Sequence, residues 1–155
     1  MKTSSPNQLF DLTGEVAVVI GGTGALGGAV ADALAAAGAK TAIAGRNADR
    51  GNARAITISG SGGIAAFFAA DASSRSSLEA LRDSVAETFG PATILVNAAG
   101  GNDPKVTVTP ENPFENIAKD DWLQNFDLNL IGGALLPCQV FGAAMTAAKR
   151  GSIIN

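Results

Sequence analysis

Apolar and polar positions follow two alternating rhythms along the chain. Val16 to Ile20 is an unbroken, largely β-branched run closed by glycines, the pattern of a strand buried on both faces. Leu26, Val30, Leu34 and Ala37 then recur at helical spacing with Gly38 behind them, which predicts an amphipathic helix ended by a glycine. The exchange repeats. A second strand is predicted over 40–44, ending at Gly45-Arg46-Asn47, then a short helix over 50–58 and a loop at Ser59-Gly60-Ser61-Gly62-Gly63. A third strand over 64–70 ends at Asp71. Leu78, Leu81, Val85 and Phe89 trace one helical face, entered through N-cap candidates from Ser73 onward and stopped by Gly90-Pro91. Asp71 itself is an N-cap candidate for that helix. A fourth strand over 93–96 ends at Asn97.

The stretch from Gly100 to Lys119 carries Pro104, Pro110 and Pro113 and reads as a long irregular loop, a kind that is usually functional. A helix over 120–148, bent at Pro137, leads to a fifth strand at Ser152-Ile153-Ile154-Asn155. Its uncharged run, 128–148, is of membrane length. Asn129, Gly132, Gly133, Pro137, Gln139 and many alanines weaken its transfer into lipid, so a buried helix is expected and no membrane. No repeat or linker divides the chain. One α/β domain over 1–155 is predicted, a parallel sheet with helices on both faces whose ligand binds at the carboxyl ends of the strands.

Composition narrows the chemistry. Eleven Lys+Arg against fourteen Asp+Glu in 155 residues give a net charge of −3, so no nucleic-acid partner is expected. The chain has no His, no Tyr and one Cys, which excludes a Ser-His-Asp triad, a His-based metal site, a disulfide framework and a tyrosine supplied by this chain. Cys138 falls on the apolar helix and reads as an inert core thiol. Met1 to Asn7 lacks the apolar core of a signal peptide, so a cytoplasmic location is expected.

The strand-to-helix turn Ile20-Gly21-Gly22-Thr23-Gly24-Ala25-Leu26-Gly27-Gly28 carries the most specific signal. Gly22, Gly24 and Gly27 have G-x-G-x-x-G spacing in the setting that motif requires, where backbone amides approach a pyrophosphate at a helix N-terminus. A P-loop would need Lys-Ser/Thr where Gly28-Ala29 stand. At the end of the second strand, Gly45 occupies the place of a ribose-binding carboxylate and Arg46 follows. A guanidinium suits a 2′-phosphate, which favours NADP, with NAD possible.

These residues resemble the short-chain dehydrogenases/reductases. Gly21, Gly24 and Gly27 match the glycine spacing of the family's extended branch, with Ile20 in place of the usual Thr and Ala25 at the other branch's middle glycine. Leu95-Val96-Asn97-Ala98-Ala99-Gly100 resembles the N-N-A-G segment, Ala98 replacing the second Asn. Asp71-Ala72 resembles the site of the Asp that binds adenine. Asn129, in Asp127-Leu128-Asn129-Leu130, resembles the helix Asn of the catalytic tetrad. Leu9 to Gly14, the Gly-Gly-Thr-Gly turn and Gly100-Gly101-Asn102 suggest the sugar-acid (mannonate-type) branch.

The resemblance implies a Rossmann-type doubly wound parallel sheet of order 3-2-1-4-5, and hydride transfer between NADP or NAD and a small hydroxyl/carbonyl substrate. Gly21, Thr23, Gly24, Ala25, Leu26 and Gly27 would form the pyrophosphate turn. Arg46 would read the ribose, Asp71 and Ala72 the adenine, and Asn97, Ala98 and Ala99 the far side of the cofactor. Asn129 would be the catalytic residue of this half. The family's Ser after the fifth strand and its Tyr-x-x-x-Lys do not occur before Asn155, so a C-terminally incomplete fold is expected. Such a fold supplies the cofactor half-site, with an exposed strand edge and marginal stability or self-association. The helix over 120–148 would pair two copies, with Trp122, Phe126 and Phe141 in core or subunit packing. Two alternatives are a non-catalytic dinucleotide-binding fragment or sensor, and a helix-mediated dimerisation module. Asn102 and Asp103 fit either substrate contact or turn chemistry.

Overall fold

The structure, a computed structural model, describes residues 10–155; the readings on Met1–Asn7 and Leu9 lie outside them. Five strands form one parallel sheet: β1 (Val16–Ile20), β2 (Lys40–Gly45), β3 (Ile64–Ala69), β4 (Ile94–Asn97) and β5 (Ser152–Ile154). Their spatial order is β3-β2-β1-β4-β5, so the winding reverses between β1 and β4. This is the expected Rossmann-type α/β fold. Helices α1 (Ala25–Ala36), α2 (Ala48–Gly60) and α3 (Arg75–Phe89) connect the strands. A long rod precedes β5, made of α4 (Lys119–Phe126), a π-helical segment (Asp127–Leu135) and α5 (Leu136–Ala148).

The pleat explains why β1 is apolar throughout. Val16, Val18 and Ile20 pack with Leu78, Leu81 and Val85 of α3 and Val140, Phe141 and Met145 of α5. Ala17 and Val19 point the other way, into a layer with Ala31 and Ala35 of α1 and Ile58 of α2. The rod is long enough to span a membrane and an 18-residue stretch of it has a mean hydropathy of 1.5, but Val140, Phe141 and Met145 are buried against the sheet. At the margins, β3 is partly exposed and all three β5 residues are exposed.

Three of the differences from the sequence reading exceed a residue at a strand end. Helix α2 starts at Ala48 and runs through Ser59-Gly60, because the Asn47 side chain accepts from the Arg50 N–H at 2.9 Å and nucleates its first turn. Helix α3 is capped by Ser74, whose Oγ accepts from the Ser77 N–H at 3.3 Å, and not by Asp71. Near the expected bend in the rod, Pro137 sits in the first turn of α5, and the departure from regular winding lies just upstream, in the π-helical segment.

Candidate functional site

The carboxyl ends of β1, β2, β3 and β4 converge on a crevice of about 200 Å³ at the reversal point. Its floor is the β1–α1 turn. Gly21 has φ +84°, and a Cβ there would lie 2.4 Å from the Ala98 carbonyl oxygen and 2.6 Å from the Ala99 nitrogen. A Cβ on Gly27 would lie 2.4 Å from the Gly21 oxygen. The turn, the start of α1 and the end of β4 are therefore in backbone contact that any side chain would break. Of the two overlapping glycine sets, Gly21 and Gly27 make this approach, while Gly22 is buried against Val19 and Ile43.

Helix α1 begins at Gly24 with no side-chain cap and no acidic residue in its first turn. The amides of Ala25, Leu26 and Gly27 donate to no acceptor outside the helix among the described residues. Uncapped amides at the positive end of a helix dipole favour an anion. Leu26 itself is exposed at the turn. Thr23 lies over Gly45, where a Cβ would come within 2.7 Å of the Thr23 hydroxyl, so a side chain at the end of β2 would require Thr23 to move. Arg46 is exposed, borders the crevice and forms no ion pair among the described residues.

Asp71 folds the chain after β3. Its carboxylate accepts from the Ser73 N–H at 3.0 Å, and its own N–H donates to Ser77 Oγ at 3.0 Å. Asp71, Ala72, Ala98 and Ala99 all border the crevice. Asn97 does not. It shares the face of Leu95, so its side chain points toward α5, where Nδ2 donates to Asn155 Oδ1 at 2.7 Å and lies 3.5 Å from Cys138 Sγ. Its Oδ1 is buried without a partner among the described residues. Cys138 is accordingly half-buried between two amides and not enclosed in apolar core.

Asn129 is exposed and lies on the π-helical segment beside the crevice. Its Oδ1 accepts from the Gly101 N–H at 2.9 Å, and its Nδ2 faces the carbonyls of Gly101 at 3.0 Å and Asn125 at 2.9 Å. All of these partners belong to the chain itself, so the side chain braces the loop after β4. Asp103 accepts from the Lys105 N–H at 2.9 Å to cap a short 3₁₀ turn, so turn chemistry accounts for it. Several residues that border the crevice were not among the predicted contacts, Ala70, Ser73 and Leu128 among them. Ser73 was legible only as a capping candidate, and Leu128 lies where the winding leaves the 3.6-residue period. Ser73 and Leu128 also border a second, apolar cavity of about 740 Å³ walled by Leu123, Phe126, Leu130 and Ile131.

A glycine turn at the topological switch point of a parallel sheet defines a Rossmann-type domain with its crevice in the position where such folds hold ligands. Residues 15–155 match the short chain dehydrogenase family, and the chain belongs to that family. It is 37% identical to the D-threitol dehydrogenase of Mycolicibacterium smegmatis, over 94% of this chain and 53% of that protein. It is likewise 37% identical to the uncharacterized oxidoreductase UxuB of Bacillus subtilis, over 94% of this chain and 55% of that one. Among solved structures, a gluconate 5-dehydrogenase from Burkholderia cenocepacia, in complex with NADP and tartrate, superposes with a TM-score of 0.78 at 28% identity, covering 97% of this chain and 56% of the other. A Haemophilus influenza protein assigned as a D-mannonate oxidoreductase, with bound NAD, gives 0.82 at 27% identity, covering 91% of this chain and 54% of the other. The chain thus spans about half the length of the relatives it matches.

Proposed function

We propose that this chain is the cofactor-binding half of an NAD(P)-dependent oxidoreductase, one that moves hydride between a nicotinamide and a hydroxyl or carbonyl carbon of a small substrate. The observation that carries the proposal is the backbone contact of Gly21 with Ala98 and Ala99, which sets Gly21, Thr23 and Gly24 on the border of the crevice directly before the uncapped first-turn amides of α1, those of Ala25, Leu26 and Gly27. These amides, shaped by Gly21, Thr23, Gly24 and Gly27, hold the pyrophosphate. Asp71 and Ala72 meet the adenine, while Ala98 and Ala99 form the far wall. Asn97 supports that wall from behind, and Asn129 fixes the loop that follows it. When bound, the dinucleotide supplies the hydride chemistry, and the chain's part is to orient it.

NADP is the preferred form in this reading. Gly45 offers no carboxylate to repel a 2′-phosphate, and the guanidinium of Arg46 has no acidic partner among the described residues. The names of the relatives support a polyol or sugar-acid substrate. The packing of the rod against the sheet supports a cytoplasmic setting. Calorimetric titration with NADPH and NADH tests the reading. Both are expected to bind in the micromolar range, and Arg46→Ala should weaken NADPH alone by roughly tenfold to a hundredfold, as loss of a charge-assisted contact of about 1.5–3 kcal/mol requires. Failure of the wild-type chain to bind either dinucleotide would overturn the proposal.

A further inference from the structure

The π-helical segment touches both outer walls of the crevice through two adjacent buried glycines. A Cβ on Gly132 would lie 2.8 Å from Ser73 Oγ and 3.2 Å from both the Ala72 carbonyl carbon and the Ser73 Cα. A Cβ on Gly133 would lie 2.9 Å from the Ala99 oxygen and 3.2 Å from the Leu128 oxygen. Ala72 and Ser73 wall the crevice behind β3, and Ala99 walls it behind β4. One helical turn earlier, Asn129 ties down Gly101. The wider winding of the π segment thus brings one bonding residue and two bare backbone positions to the same end of the sheet, a departure from regular helix that is frequent where function demands it.

The two walls are not equally held. Ala98 is anchored to β1, its N–H donating to the Ile20 oxygen at 2.8 Å. The turn over 71–74 follows an edge strand and is closed by local bonds alone: Ser73 N–H to Asp71 Oδ1, Ser74 N–H to the Asp71 oxygen at 3.1 Å and Asp71 N–H to Ser77 Oγ. Its position is therefore not fixed by a bond to the sheet among the described residues, and it approaches the rod closely at the bare backbone of Gly132. We propose that Gly132 and Gly133 are positioning residues that set the width of the crevice, Gly132 through the 71–74 turn on the adenosine side and Gly133 through the Ala99 peptide; the proposal rests on the dinucleotide reading above.

Alanine is a better helix former than glycine, so Gly132→Ala keeps the helix and displaces the turn. The test is amide hydrogen exchange across the full chain for wild type, Gly132→Ala, Gly133→Ala and Gly132→Ala/Ser73→Ala, with ADP-ribose titrated into each. Gly132→Ala should speed exchange at Ser73 and Ser74 and weaken ADP-ribose by about tenfold. Gly133→Ala should leave exchange at those two amides unchanged. Ser73→Ala removes the hydroxyl at the shortest contact and should restore part of both losses. Unchanged exchange at Ser73 and Ser74 in Gly132→Ala, or the same acceleration in Gly133→Ala, overturns the proposal. If Gly132→Ala does not fold, a folded double variant supports the steric assignment and an unfolded one overturns it. Absence of ADP-ribose binding by the wild-type chain counts against the dinucleotide reading alone, since the exchange rates still decide the positioning.

Discussion

At the scale of single residues, Gly21 is the most constrained position described. Alanine there combines a left-handed backbone with a Cβ driven against the Ala98 carbonyl, and it should destabilise the fold by about 2–4 kcal/mol, measured by urea unfolding. A loss under about 1 kcal/mol would mean that the turn relaxes easily. Glu15 makes a different prediction. The Thr93 hydroxyl and, after it, the Arg150 guanidinium hold its carboxyl below the usual range. A carboxylate whose folded pKa is depressed contributes stability in full above its unfolded value, and loses it as pH falls through the folded one. The stability gap between wild type and Glu15→Gln should therefore be constant at neutral pH and close in acid. An exposed pair of this kind is worth less than about 1 kcal/mol. The identity of the site glycines was legible in the sequence because a turn residue carries its own backbone requirement. The direction of Asn97 was not, since it depends on the face of β4 that α5 covers.

At the scale of elements, the rod before β5 carries the largest departure from the sequence reading. Helical periodicity and the absence of charge predicted its extent within one residue, 120–148 against the observed 119–148. They carried no sign of the π segment, because the same apolar residues satisfy either winding until the sheet and the loop after β4 select one. Asn129 takes part in that selection. Replacing it with leucine removes its bonds to Gly101 and Asn125 and should cost about 2–3 kcal/mol. The loop over 100–119 should then be cut faster in limited proteolysis, while β1 and α1 stay protected. Equal cleavage in both proteins would show that the loop is held by other contacts.

At the scale of the whole molecule, two of the open apolar surfaces bear on association. Leu123, Phe126 and Leu130 stand exposed along the rod around the larger cavity, and Ile153 and Ile154 lie on the β5 edge. Such surfaces favour self-association. The rod is the face we propose for pairing two copies, so Phe126→Ser with Leu130→Ser should shift the chain toward monomer in sedimentation and remove the concentration dependence of its unfolding. A monomeric wild-type chain at tens of micromolar would count against that interface.

The sequence by itself determined the alternation of strands and helices, the glycine turn, the approximate end of every strand and the family resemblance. Each of these is set by interactions among residues close in the chain, or by burial patterns repeated every two or every three to four positions. Tertiary structure alone decided which glycine meets the end of β4, that Asn97 looks away from the crevice, and that Gly132 and Gly133 lie against its walls. Those outcomes depend on the closeness of segments tens of residues apart. Packing of backbone against backbone sets that distance, and no local period records it.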